Sequence, residues 1–214
     1  MDRYIKYPRT FHLPWSTPHD DDKMMSSLAA FEGEEVVVTV KMDGENCTMY
    51  SNHLHALSLD SSGGMDRHMV KRLHSQIAHE IPAGWRLCGE NLYIRHSIHY
   101  QGLKSYFYLF SIWNEANCCL SWDETAEWAR LLNLVTVPQL YRGLWQPEKI
   151  QSLYAPTFEG NECEGYVVRV ARSFAFNEFH SVVGKVVRKG HVQTTAHWRH
   201  QTMVPNDLGD GVQI

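Results

Sequence analysis

No run of about 18 apolar residues, the least that a membrane-spanning helix needs, occurs in this sequence, so no membrane span is expected. The first residues, Met1-Asp2-Arg3-Tyr4-Ile5-Lys6, lack the apolar core of a secretory signal. An excess of positive charge is also missing. The formal net charge is −4, which excludes a polycation that holds nucleic acid by bulk charge, and any nucleic-acid face must be local. Cysteine pairs at CxxC spacing are absent. The five cysteines are scattered, with Cys118 and Cys119 adjacent. An odd, irregular set argues against a disulfide framework or a zinc ribbon and for reduced thiols in a cytoplasm. Thirteen histidines are equally dispersed. His96 and His99 are the best candidates for a ligand pair, and ordinary polar roles outweigh that reading. There is no internal repeat and no low-complexity segment.

What is present suits one sizeable domain with short appendages. The chain has 214 residues, 43% hydrophobic and 12% aromatic, enough for a substantial core and too apolar for global disorder. Basic residues collect late, at Arg169, Arg172, Lys185, Arg188, Lys189 and Arg199.

Residues 1–22 read as an extended arm, rich in Pro, His and Asp. Residues 23–31 read as a short helix, with Asp22 as its N-cap and Gly33 as its stop. Val36 to Val40 are all strand formers. Asp43-Gly44 then signals a turn, and Cys47-Thr48-Met49-Tyr50 reads as the returning strand of a hairpin with Lys41 at its tip. Residues 53–64 continue as a strand and a Ser/Gly loop. Residues 66–79 carry an amphipathic stripe of Met69, Val70, Leu73, Ile77 and Ala78, so a helix is expected, stopped by Pro82. Residues 85–93 and 106–113 read as strands, the second apolar enough to be central. Helices follow at 123–134, capped by Ser121 or Asp123, and at 147–154, with Pro147 in the first turn. Strands are expected at 135–140, 163–171 and 180–188, and a loosely ordered end from about 191 to 214. The strands look like hairpin neighbours more than βαβ repeats, which makes the class α+β.

Five short motifs carry chemistry: Lys41-Met42-Asp43-Gly44-Glu45-Asn46, Gly89-Glu90, Phe107-Tyr108-Leu109-Phe110, Glu164-Gly165-Tyr166-Val167-Val168-Arg169, and Val183-Gly184-Lys185-Val186-Val187-Arg188-Lys189. Each alone has an ordinary reading as a turn, a core strand or a solvated basic stretch. In this order and approximate spacing they resemble the ATP-dependent RNA ligase family of covalent nucleotidyltransferases. The resemblance runs from about Phe31 to Lys189 and is most specific at Lys41 and Glu164.

The resemblance implies the ligase adenylation fold (ATP-grasp-like), with mostly antiparallel sheets flanked by helices, over residues 23–190. It implies that ATP adenylates Lys41, that AMP passes to an RNA 5′-phosphate, and that a 3′-hydroxyl displaces AMP to seal the strand. Nucleophilic attack needs the neutral amine, and lysine ordinarily titrates near 10.4, so desolvation or nearby positive charge is expected to lower it. Nucleotide contacts are implied for Val40, Asp43, Gly44, Asn46, Glu90, Phe110 and Arg169. Glu90 would meet the ribose and Phe110 would stack on adenine, worth about 1–3 kcal/mol. Glu164 would hold Mg²⁺ or Mn²⁺, and Lys185 would stand by the α-phosphate. Arg188, Lys189 and Arg67 are weaker candidates for RNA phosphates.

Two positions depart from the family pattern. Val187 stands where a second cation follows Lys185, and Leu57, in His55-Ala56-Leu57-Ser58, stands where many members carry arginine. Arg67 or Lys71 is the expected substitute. The chain ends soon after the last motif, so no OB-fold or large C-terminal RNA-ligase domain is expected, and RNA would be engaged by this domain, its N-terminal arm and short tail, or by a protein partner in place of the missing domain. The competing readings are a nucleotide- or RNA-end-binding protein with weak or lost sealing, and another covalent nucleotidyltransferase such as a DNA ligase or a GTP-dependent capping guanylyltransferase.

Overall fold

Two sheets face each other, and the chain crosses between them at Lys41. The protein is seen here as a computed structural model that describes residues 4–17, 22–59, 64–187 and 203–212. In chain order the strands are β1 (Phe11–His12), β2 (Glu35–Val40), β3 (Glu45–Met49), β4 (Leu54–Ala56), β5 (Arg86–Asn91), β6 (Phe107–Trp113), β7 (Cys118–Cys119), β8 (Val135–Thr136), β9 (Gln139–Leu144), β10 (Thr157–Phe158), β11 (Asn161–Glu162), β12 (Gly165–Val170), β13 (Phe174–Ala175) and β14 (Val183–Val187). The α-helices are α1 (His68–Ile77), α2 (Trp122–Leu131), α3 (Pro147–Gln151) and α4 (Phe179–Val182). One sheet has the order β1-β14-β12-β2-β9. The other runs β13-β7-β6-β5-β3-β4, with β8 beside β6, and β10 pairs with β11 alone. Every ladder is antiparallel except β1–β14 and β6–β8. The α+β expectation therefore holds.

The valine run makes β2 a buried strand with partners on both edges. One consequence overturns the hairpin expected around Lys41. Both edges of β2 are taken by β12 and β9, so β3 pairs instead with β4 and β5 in the other sheet. Apolar side chains of both sheets, among them Val183, Trp113 and Phe174, meet in a shared core. The far side of the second sheet is covered by α1 and α2, which bury Val70, Ile77 and Ala129 against Met49, Leu87 and Leu109. Ser121 is the cap of α2. Its hydroxyl accepts from the Glu124 amide, and Glu124 answers the Ser121 amide.

Local propensity lost in three places. Residues 23–31 form only a 3₁₀ turn at Ala29–Phe31, because Met24 bridges to His12 and the Met25 amide donates to the His12 carbonyl. Asp22 is accordingly no helix cap. The N-terminal arm joins the first sheet through β1. The expected strand from 180 begins with α4 and becomes extended only at Val183.

The tail is not loose where it is described. Asn206 is buried, accepts from the Tyr100 amide at 2.8 Å and donates to the Leu92 carbonyl at 2.7 Å. Tyr100 in turn holds the Asp43 amide at 2.9 Å, so the tail braces the crossing point. Asn206→Ala leaves two buried groups unsatisfied and should cost about 1–3 kcal/mol, measured as a lower urea midpoint at unchanged m-value.

Candidate active site

The register of β2 against β12 builds the centre of the site. Tyr166 pairs with Val40, and one rung further the Lys41 amide donates to the Gly165 carbonyl at 2.9 Å. Glu164 therefore falls beside Lys41, and Nζ lies 2.5 Å from Oε2. Strict alternation would put Glu164 on the face of Tyr166. Instead Tyr166 packs into the apolar core while Glu164 reaches Lys41. The pleat breaks at Gly165, whose φ is +157° and where a Cβ would lie 1.9 Å from the Val186 carbonyl oxygen.

A cavity of about 500 Å³ opens before this pair. From the first sheet, Thr39, Val40, Val167, Arg169 and Lys185 line it, and from the second, Asn46, Glu90 and Phe110. Phe110 is aimed there by a bulge. The β5–β6 register steps from Cys88–Ser111 to Gly89–Leu109, which leaves Phe110 outside the ladder. Asn46 lies opposite Glu90, and its Oδ1 is buried without a protein partner. Gly44 is needed for close approach, since a Cβ there would lie 2.4 Å from the Asn91 carbonyl. Its amide donates to Glu90 Oε1 at 3.1 Å.

The charges interlock. Burial pushes the Lys41 ammonium down, but Glu164, then Glu90 and Asp43, outweigh it and hold the group above its usual range. The shift runs opposite to the expected lowering, because the carboxylates around Lys41 favour its ammonium form. Burial pushes the Glu90 carboxyl up to about 8, with Lys41 opposing and Glu164 reinforcing the shift. Burial lowers Lys185, and nearby Lys41 adds to the effect while Asp22 opposes it.

Several expected contacts are committed elsewhere. Asp43 Oδ2 accepts from the Ser97 amide and hydroxyl and the Ile98 amide, at 2.7–2.8 Å, so this carboxylate clamps a loop instead of facing a nucleotide. Arg67 is buried in a two-pronged pair with Glu45, at 2.6 and 2.5 Å, and is withdrawn from RNA. Arg169 lines the cavity, but its guanidinium donates to the Leu120 and Val170 carbonyls in place of a phosphate. Leu57 stands on the cavity wall, 44% exposed. Neither suggested substitute reaches it, because Arg67 is spent and Lys71 lies on the exposed side of α1, away from the cavity. Arg188 and Lys189 lie outside the described residues. Among the described residues no three His, Cys, Asp or Glu side chains form a metal cage.

The RNA ligase family model matches residues 34–187. The chain belongs to the RNA ligase family. Similar solved structures include Naegleria gruberi RNA ligase with PPi, at 22% identity and a TM-score of 0.58 over 76% of this chain and 52% of that one. A mutant of the same enzyme with ATP and Mn matches at 20% identity and 0.58, over 83% and 58%. At such identities the likeness concerns the fold. The chain spans a little over half the length of these solved ligases. No curated protein matches it.

The sequence reading offered the arm for RNA engagement but singled out none of its residues. Tyr7 and Arg9 line the cavity, and the Tyr7 ring meets Phe110 edge-on at 5.1 Å. Tyr7-Pro8-Arg9 has no periodicity from which this ligase-family pocket could be inferred. The only hint was an arginine and an aromatic beside a proline in a segment otherwise read as a tether.

Two outcomes follow from the charges. In wild type, acylation of Lys41 by an amine-directed reagent should begin at higher pH than at exposed lysines. Glu164→Gln should move that onset to lower pH, as read by peptide mass spectrometry. The raised Glu90 carboxyl means that the folded chain binds an extra proton between about pH 4.5 and 8. Its contribution to stability therefore falls as pH rises through that window. Glu90→Gln should flatten this part of the melting-temperature profile and raise the value near pH 8.

Proposed function

We propose that the protein is an ATP-dependent RNA ligase that works through a lysyl-AMP intermediate on Lys41. The observation that carries this reading is the Lys41–Glu164 pair at 2.5 Å, its carboxylate buried and its lysine partly so, set at the mouth of a cavity that also presents Phe110, Glu90 and Asn46. A base stacks on Phe110, whose ring the bulge turns inward. Glu90, largely protonated near neutral pH, donates a hydrogen bond to a ribose oxygen, and Asn46 Oδ1 accepts from a ribose hydroxyl.

The donor set fits Mg²⁺ or Mn²⁺: one buried carboxylate, Glu164, with phosphate oxygens and water completing an all-oxygen shell. Such an ion supplies charge neutralisation at the phosphates when bound. Lys41 must first lose to solvent the proton that the pair with Glu164 retains, and that loss is eased when Glu164 holds a divalent ion and its carboxylate charge is drawn away. The neutral Nζ then attacks the α-phosphorus. A P–N bond forms and the P–O bond to pyrophosphate breaks. Lys185 offsets the charge on the α-phosphate. An RNA 5′-phosphate oxygen next takes AMP from Lys41, and a 3′-hydroxyl displaces AMP to form the phosphodiester. Five free thiols support a cytoplasmic setting.

A second reading has its own observation. Leu57 on the cavity wall and Val187 beyond Lys185 remove two cations from the phosphate path, which favours an RNA-end-binding protein with weak sealing.

Intact mass before and after ATP with Mg²⁺ tests the first reading. Wild type should gain one AMP and Lys41→Ala none. No gain with either metal, or a gain that persists in Lys41→Ala, refutes it. Efficient joining of a nicked RNA duplex would remove the second reading.

A further inference from the structure

The first sheet contributes a cationic cluster that its strand β14 does not make alone. Three basic side chains converge on one carboxylate. Arg9 Nη2 lies 3.0 Å from Asp22 Oδ1, His12 Nε2 lies 3.1 Å from Oδ2, and Lys185 Nζ lies 3.7 Å from Oδ1. The parallel β1–β14 register sets His12 beside Lys185. The His12 ring is held in place by Ser16, whose Oγ is 2.6 Å from Nδ1. Backbone bonds flank the cluster, from the His12 amide to the Lys23 carbonyl and from the Met25 amide to the His12 carbonyl. Arg9 and Lys185 both line the cavity that holds Lys41.

We propose that Arg9, His12 and Lys185 form a phosphate seat at the rim of this cavity, and that Asp22 occupies the seat when no ligand is bound. The geometry is that of an oxyanion site. Arg9, just before β1, donates to Asp22 Oδ1, and the His12 and Lys185 nitrogens on the neighbouring strands β1 and β14 stand 3.1 and 3.7 Å from the same carboxylate, with the arginine head half exposed on the solvent side. A phosphate offers more oxygens and more charge than the carboxylate to the same donors. Leu57 on the cavity wall and Val187 beyond Lys185 carry no charge, and the arm supplies one cation, Arg9, beside His12, whose imidazole burial holds below its usual range. The cluster thereby accounts for how this chain handles phosphate without those positions.

The phosphate belongs either to the pyrophosphate end of ATP or to the 5′ end of an RNA, an assignment that rests on the ligase reading. Binding to the full chain, measured by titration calorimetry without ATP, separates the two sources. The probes are pyrophosphate, a 5′-phosphorylated oligoribonucleotide and its 5′-hydroxyl counterpart. Arg9→Gln should weaken one of the two phosphate probes about tenfold, the size expected for loss of a charge-assisted hydrogen bond. Asp22→Asn should tighten the same probe by a similar factor. The 5′-hydroxyl oligonucleotide should respond to neither. The probe that responds identifies the source. Both variants should melt as wild type does. Phosphate binding unchanged in Arg9→Gln, or unchanged or weakened in Asp22→Asn, overturns the proposal. Binding is read without adenylation, so a failure of Lys41 to take AMP would refute the ligase reading and leave this result standing.

Discussion

Lys41 and Glu164 are 123 residues apart in the chain, and one ladder brings them within 2.5 Å. The β2–β12 register fixes that meeting, and Gly165 lets the carboxylate turn toward the lysine. A slip of one residue would carry every side chain of β12 to the opposite face, sending Val167 and Arg169 to the face that Tyr166 and Val168 now occupy and Tyr166 into the cavity. The same pair sets the resting state of the site. A partly buried ammonium beside a buried carboxylate is favoured while both charges are present, and removing either leaves the other without its partner.

The residues that form the site were largely legible, because strand formers and special turn residues announce themselves locally. Lys41, Glu90, Phe110, Glu164 and Lys185 converge on one cavity or on the ion pair at its mouth. What the sequence concealed is how strands find partners. Asp43-Gly44 looks like a hairpin turn, yet the strands on either side belong to different sheets, since β12 and β9 compete better for the edges of β2. Non-local pairing of this kind leaves no trace in a short window. The inward aim of Phe110 depends on a register step between β5 and β6, equally invisible in either strand alone. Arg67 and Asp43 show the converse error. Their residue types suit phosphate and ribose, but each is consumed by a partner, Glu45 in one case and a distant loop in the other.

The mouth of the cavity is balanced instead of basic. Glu164, Glu90 and Asp43 are the electrostatic neighbours of Lys41, and Asp22 stands among Arg9, His12 and Lys185. This agrees with a chain whose net charge is −4. Such a surface exerts little long-range pull on a polyanion.

Parallel pairing of β1 has a consequence for the sheet itself. Phe11 and His12 lie alongside Gly184 and Lys185, and the Leu13 amide donates to the Lys185 carbonyl at 2.8 Å. Those contacts cover the outer margin of β14, which otherwise would offer a row of unused amides and carbonyls to any passing chain. Residues 11–13 thus act as a selvedge, the finished border that keeps a woven sheet from catching on its neighbours.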